Sequence, residues 1–200
     1  MLEALWPIPC AGCEAPRGGR LCQRCLPALA SPIDPPALID RAWAASAYDG
    51  PLGAALLRAK GKGDRALASV LAVAAADALV PLLPGIDAIV PVPSPWTRRM
   101  ARGFALSSLV AAELGTRLKI DTMHRALGIA PGPRQAALSD RQRARALTGR
   151  VRSRRSVPGT VLLVDDVCTT GATASACARE LLGTESSRVL LAVVCAATSR

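Results

Sequence analysis

Val161-Leu-Leu-Val-Asp-Asp-Val-Cys-Thr-Thr-Gly-Ala-Thr173 decides the fold class of this chain. Four apolar residues lead into two adjacent carboxylates, Asp165 and Asp166. Thr169, Thr170, Gly171, Ala172 and Thr173 follow, and the spacing then predicts a helix over 172–182. A short apolar run bounded by turn signals reads as a buried strand, here Thr160 to Val164. Gly171 lets a backbone approach a ligand closely. Successive N–H groups of residues 169–173, at a helix N-terminus, suit an anion. The hydroxyls of Thr169, Thr170 and Thr173 add donors. The carboxylates repel a phosphate, but they accept hydrogen bonds from neutral hydroxyls or hold hydrated Mg²⁺. A ligand with a phosphate at one end and vicinal hydroxyls beside it, a ribose 5-phosphate, meets both demands. The plainer reading makes Asp165 and Asp166 turn residues and Thr170 a helix N-cap, and it leaves the three threonines around a glycine without a reason. The lysine of a nucleoside-triphosphate loop is missing, which argues against an ATPase.

Working outward, the same alternation recurs. Asp87 to Pro93 and Arg188 to Ala197 read as further buried strands, and Arg41 to Tyr48 as an edge strand. Residues 51–60, 64–80 and 103–118 read as helices. Apolar strands between amphipathic helices predict an α/β fold, a parallel sheet flanked by helices, with ligands at the carboxyl ends of the strands. Residues 121–158, rich in Arg, Pro and Gly, read as an exposed excursion with a helix near 136–148.

Residues 1–30 are different in kind. Cys10-x₂-Cys13-x₈-Cys22-x₂-Cys25 offers four thiolates, the set that structural Zn²⁺ prefers. A redox dithiol is the alternative for a lone Cys-x-x-Cys, and two pairs weigh against it. Pro32, Pro35 and Pro36 mark a linker over 31–40, and the sheet domain takes 41–200. The chain has seven Cys, an odd number, so a disulfide framework is not expected and a reducing cytoplasm is. Cys168 reads as a small core-facing residue, not a nucleophile. The N-terminus has neither a basic stretch nor a clean apolar one, so no signal peptide is expected. Ala66 to Leu83 is interrupted by Asp77 and Pro81, so no membrane span is expected either.

In 200 residues, 25 Lys and Arg stand against 15 Asp and Glu, a formal charge of +10. The aromatic residues are only five: Trp6, Trp43, Tyr48, Trp96 and Phe104. A protein that stacks single-stranded bases needs more platform than that. The one histidine, His124, makes His-centred catalysis a poor fit.

The run 161–173 resembles the phosphoribosyl-pyrophosphate motif of type I phosphoribosyltransferases. The resemblance implies that Asp165 and Asp166 contact the ribose hydroxyls and that Thr169 to Thr173 cradle the 5-phosphate. Other stretches resemble ComF-type proteins, competence-associated homologues of those enzymes with an N-terminal zinc ribbon. They are Tyr48-Asp-Gly-Pro-Leu with Leu56-Leu57-Arg-Ala-Lys60, then Val90-Pro-Val-Pro93 with Arg98, Arg99, Arg102, Gly103 and Phe104, and then Arg134-Gln-Ala-Ala-Leu-Ser139 with Arg143. The resemblance implies a pyrophosphate-binding loop at Pro93-Ser94, cationic partners at Lys60 and Arg102, and a hood over the substrate that includes Arg134. Two places depart from the family. Ala105-Leu106 stand where Asn-Gln is usual, and Ala146-Leu-Thr-Gly-Arg-Val151 stands where the family has Asn-Val-x-Gly-Ala-Phe.

Arg141, Arg143, Arg145, Arg150, Arg152, Arg154 and Arg155 have no acid among them. A solvated basic face, a hood over substrate and a patch for nucleic-acid phosphates all stay open for this run. Three functions are therefore expected candidates: an enzyme that binds phosphoribosyl pyrophosphate and Mg²⁺ and transfers to an unknown acceptor; a non-catalytic sensor of a phosphosugar or nucleotide; and a DNA-uptake accessory factor that binds DNA.

Overall fold

The computed structural model describes residues 8–16, 20–130 and 149–197. Its centre is a five-stranded sheet in the order β1-β2-β7-β6-β3. The strands are β1 (Ser31–Ile33), β2 (Arg41–Ala47), β3 (Ala88–Pro91), β6 (Gly159–Cys168) and β7 (Ser186–Ala196). β2, β7, β6 and β3 run parallel, and β1 pairs antiparallel to β2. The chain is thus an α/β protein with a mostly parallel sheet, as its strand pattern predicts.

Both faces of the sheet are covered, so the inner strands are apolar throughout rather than alternating. Helices α1 (Pro51–Lys62), α2 (Arg65–Leu79) and α4 (Leu106–Leu118) close one face over Leu56, Leu71, Leu79, Ile89, Leu114, Leu162 and Leu190. Helix α5 (Ala172–Leu182) closes the other over Val90, Leu163, Leu181, Leu191 and Val193. Side chains alternate across β6, so Leu162 and Leu163 serve opposite cores.

Several expectations need correction. Arg41–Ala47 is not the edge. Ser31–Ile33, expected in the linker, supplies that edge, where Pro32 is tolerated because an edge strand pairs on one side only and an inner one would lose a ladder bond. The expected helix over 103–118 begins at Leu106, and a separate short helix, α3 (Trp96–Arg102), precedes it and ends at left-handed Gly103. The excursion is not wholly irregular. It begins with Thr122 against the outer edge of β3 and carries a two-stranded ribbon, β4 (Leu127–Ile129) with β5 (Val151–Ser153). The ribbon is tied to α5 by the Ser153 N–H donating to Glu180 Oε2 at 3.1 Å. The helix expected near 136–148 lies outside the described residues.

Arg65–Leu82, with a mean hydropathy of 1.7 over 18 residues, is long and apolar enough to cross a membrane by length and composition alone, as a core helix can be; its α-helical part ends at Leu79, before Pro81. Asp77 does not interrupt it, because that carboxylate lies on the outer face and pairs with Arg117. Half of the stretch is buried, with Leu71, Ala75, Ala78 and Leu79 packed in the core.

Candidate functional site

The carboxyl ends of β6 and β3 and the end of α1 meet around one cavity of about 590 Å³. β6 runs on through the two carboxylates to Cys168, so Asp165 and Asp166 are strand residues and not a turn after the strand. Their alternation sends them different ways. The Asp166 N–H donates to Asp165 Oδ1 at 2.7 Å, while Asp166 Oδ2 meets Lys60 Nζ at 2.6 Å. Burial, and then the neighbouring charge of Asp166, push Asp165 up to about 8 despite Lys60. Among the described residues, the two carboxylates face a single cation at close range, Lys60.

Behind the carboxylates lies a smaller cavity of about 70 Å³, lined by Asp165, Cys168, Thr169, Thr170, Gly171 and Thr173. Thr170 is not the N-cap of α5. Gly171 is, at φ 69°, and no side chain caps the helix there. The first-turn N–H groups are left for another acceptor, as an anion site requires. Gly171 is needed twice over: its φ disfavours a side chain, and a Cβ would run into Pro36. The segment expected as a linker therefore packs on the outside of the phosphate loop. Asp165, Val167 and Thr173 line both cavities.

Across the large cavity, Val92 N–H donates to Val164 O at 2.8 Å and Ser107 Oγ donates to Val92 O at 3.0 Å. These bonds seat the Pro93-Ser94 turn on the rim. Helix α3 adds Arg98 and Arg102 to the same wall. Lys60, Pro93, Ser94, Arg102, Asp165, Asp166 and Thr173 are thus brought together from four parts of the chain. Arg134 lies outside the described residues. Sequence reasoning does not single out Arg150. It lines the cavity from the ribbon, donates to Ala130 O through Nη2 at 2.9 Å, and keeps Nη1 buried with no partner among the described residues. A buried guanidinium N–H left unmade is costly, and an anionic ligand would satisfy it. Its position in the arginine-rich run is the only signal in the sequence.

Burial raises the thiols of Cys168, Cys177 and Cys195, which fits core residues rather than nucleophiles.

The N-terminal cysteines form a second centre. The sulfurs of Cys10, Cys13, Cys22 and Cys25 all lie within 4.8 Å of one another. Cys22 Sγ is 3.7 Å from both Cys13 Sγ and Cys25 Sγ. A tetrahedral zinc with bonds of about 2.3 Å spaces its sulfurs by about 3.8 Å, so the donor set fits that ion. Burial pushes the Cys10 thiol up, but the backbone N–H groups of Cys22, Cys13 and Gly12 outweigh it and bring the group down to about 6. All four places would be filled by protein, which makes the centre structural rather than catalytic. The knuckle sits on the sheet domain: Ala11 and Leu21 pack on the main core, and Arg20 pairs with Asp64 at 2.7 Å.

Among solved structures, the chain is similar to TT1426 from Thermus thermophilus. The identity is 22%, the TM-score 0.37, and the match covers 63% of this chain and 72% of that one. No protein-family model matches the chain. No curated protein matches it.

Proposed function

We propose that this chain binds phosphoribosyl pyrophosphate with Mg²⁺ and transfers the phosphoribosyl group to an acceptor with release of pyrophosphate, as the ComF-type resemblance implies. The observation that carries the reading is two adjacent cavities that share Asp165 and Thr173 in their walls. The smaller one suits a 5-phosphate on the N-terminus of α5. The larger one offers Lys60, Arg102 and Arg150 to a pyrophosphate beside the Pro93-Ser94 turn. Asp165 and Asp166, between them, accept hydrogen bonds from the ribose hydroxyls.

The reaction breaks the bond from the anomeric carbon to pyrophosphate, which leaves with the electron pair. A lone pair of the acceptor makes the new bond. The negative charge of the carboxylate pair steadies the cationic sugar as it develops. Lys60 exchanges Asp166 for a phosphate oxygen, which frees that carboxylate for the sugar. The two carboxylates do not amount to an all-protein Mg²⁺ cage, but they suit the water shell of an ion carried in by phosphates. When bound, Mg²⁺ neutralises pyrophosphate oxygens and improves the leaving group. Cytoplasm, where the seven thiols stay reduced, goes with this reading.

Calorimetric titration of the protein with phosphoribosyl pyrophosphate and Mg²⁺ tests it. The expected result is a saturable heat that Asp165→Asn with Asp166→Asn abolishes. No heat at millimolar ligand overturns the reading. Ala105, which lines the cavity where the family has an amide, favours a second reading, a sensor that binds without transfer. A screen for pyrophosphate release across nucleobases and amines separates the two. The charge of +10 keeps a DNA-uptake role as a third reading. It requires salt-sensitive DNA binding that weakens when Arg152 and Arg155 are neutralised.

A further inference from the structure

A further cavity, about 350 Å³, also has the Pro93-Ser94 turn in its wall. Helix α3 serves both spaces. Arg98 and Arg102 line the first, while Trp96 and Arg99, one turn apart, line the second. The ribbon divides in the same way, with Arg150 at the first and Arg154 at the second. Arg125 and His124, from the start of the excursion, complete the basic wall. No carboxylate lines this cavity among the described residues. None of Arg99, Arg125 and Arg154 is in an ion pair with a described residue. Arg99, Arg125 and Arg154 are exposed on this wall, and Arg154 has a close neighbour. Its guanidinium lies against Gly128, where any Cβ would strike it, and its backbone N–H donates to Ala126 O at 2.7 Å. Trp96 is 59% exposed on the rim, which offers a bare indole face.

Three guanidinium groups with no carboxylate partner among the described residues, around one concavity, select an anion with several oxygens. An indole beside them selects a planar ring attached to that anion. We propose that this cavity is a binding site for a nucleoside monophosphate, distinct from the phosphate loop at Thr169–Thr173. The phosphate is held by Arg99, Arg125 and Arg154, and the base lies on Trp96. Because the Pro93-Ser94 turn walls both cavities, the bound nucleotide adjoins the first cavity without entering it.

The probe is adenosine 5′-monophosphate, titrated into the whole protein at low salt and followed by calorimetry and tryptophan quenching. Saturable binding is expected. It weakens at least about tenfold in Arg99→Gln with Arg154→Gln, in line with the loss of two charge-assisted contacts. Gly128→Ala, which displaces the Arg154 head without changing the charge, weakens it several-fold. Trp96→Leu abolishes the quenching. Arg41→Gln with Arg65→Gln, equal in charge but remote, leaves it unchanged. Circular dichroism and the melting temperature check that each variant is folded. Absence of binding at millimolar nucleotide overturns the proposal. So does equal weakening in the remote pair, which means unspecific charge. Loss in Thr169→Val with Thr170→Val but not in the arginine variant also overturns it, because the nucleotide then occupies the phosphate loop. None of these readouts requires phosphoribosyl pyrophosphate to bind, so the fate of the proposed transfer does not decide them.

Discussion

Asp165 and Asp166 are neighbours in sequence with opposite circumstances. Asp166 meets Lys60, while Asp165 is raised to about 8 by burial and by the charge beside it. An acid raised on folding binds its proton more tightly in the folded state, so it costs stability once the unfolded chain has lost that proton. Below about pH 4 both states are protonated and the cost is absent. As pH rises from about 4 to about 8 the protein loses stability from this group, at up to about 1.4 kcal/mol per pH unit, and above that the loss levels off. Melting of wild type and Asp165→Asn across this range checks it: the variant flattens the slope, and parallel curves would contradict the assignment. Lys60 has the opposite role, as a cation that pairs with Asp166 and favours the charged form of Asp165. Lys60→Gln is expected to weaken phosphoribosyl pyrophosphate by roughly tenfold to a hundredfold, the worth of a charge-assisted contact, and to lower the melting temperature as well, because Asp166 loses its counter-charge. Calorimetry on the two proteins reads this directly. The two carboxylates are legible in sequence because adjacent acids behind an apolar strand are unusual. Their ion pair with Lys60 is not, because it joins two segments that only the sheet brings together.

At the scale of elements, the loop from β6 to α5 depends on a glycine that the sequence points to for one reason and the fold uses for two. Read in sequence, Gly171 lets a ligand approach; in the fold it also caps α5 and makes room for Pro36. Gly171→Ala is expected to destabilise the protein by about 1–3 kcal/mol through the strained φ and the clash together, and to weaken phosphate binding as the loop shifts. Denaturant unfolding and a phosphate titration measure the two effects separately. Helix α2 depends on Asp64, which accepts from the Leu67 N–H at 2.9 Å and pairs with Arg20 of the knuckle. Asp64→Ala removes a helix cap and an ion pair, at a cost of about 1–2 kcal/mol, whereas Arg20→Ala removes the surface pair alone and costs less than about 1 kcal/mol. Unfolding curves of the two variants check the order, and equal losses would contradict it. Helix α3 is not legible in the sequence, because Pro93 and Pro95 read as a loop and seven residues are too few for periodicity to show.

For the whole molecule, the cysteine knuckle and the sheet domain are mechanically joined. Ala11 and Leu21 pack against the core that α1 and α2 help to form, and α1 ends at the site with Lys60. Stripping the metal from the knuckle is therefore expected to lower the melting temperature and to raise amide exchange in α1 and the first turn of α2, while β6 and β7 stay protected. Exchange mapped before and after a strong chelator, with zinc content measured alongside, gives the answer. An unchanged pattern in α1 would show that the knuckle does not steady that helix.

What the sequence determined by itself was local: which stretches are buried strands, where a glycine-bearing loop opens a helix, and that four cysteines share a spacing suited to one metal. Apolar periodicity, chain stiffness and ligand chemistry act over a few residues, so they can be read in order along the chain. Only the tertiary structure decided which strand is the edge, that Arg98 and Arg99 face different cavities, and that Arg150 keeps a buried N–H without a partner among the described residues. Each of these depends on parts of the chain distant in sequence and brought side by side by the sheet. Pairing, burial and charge partnership are set by such neighbours, and not by the residues on either side.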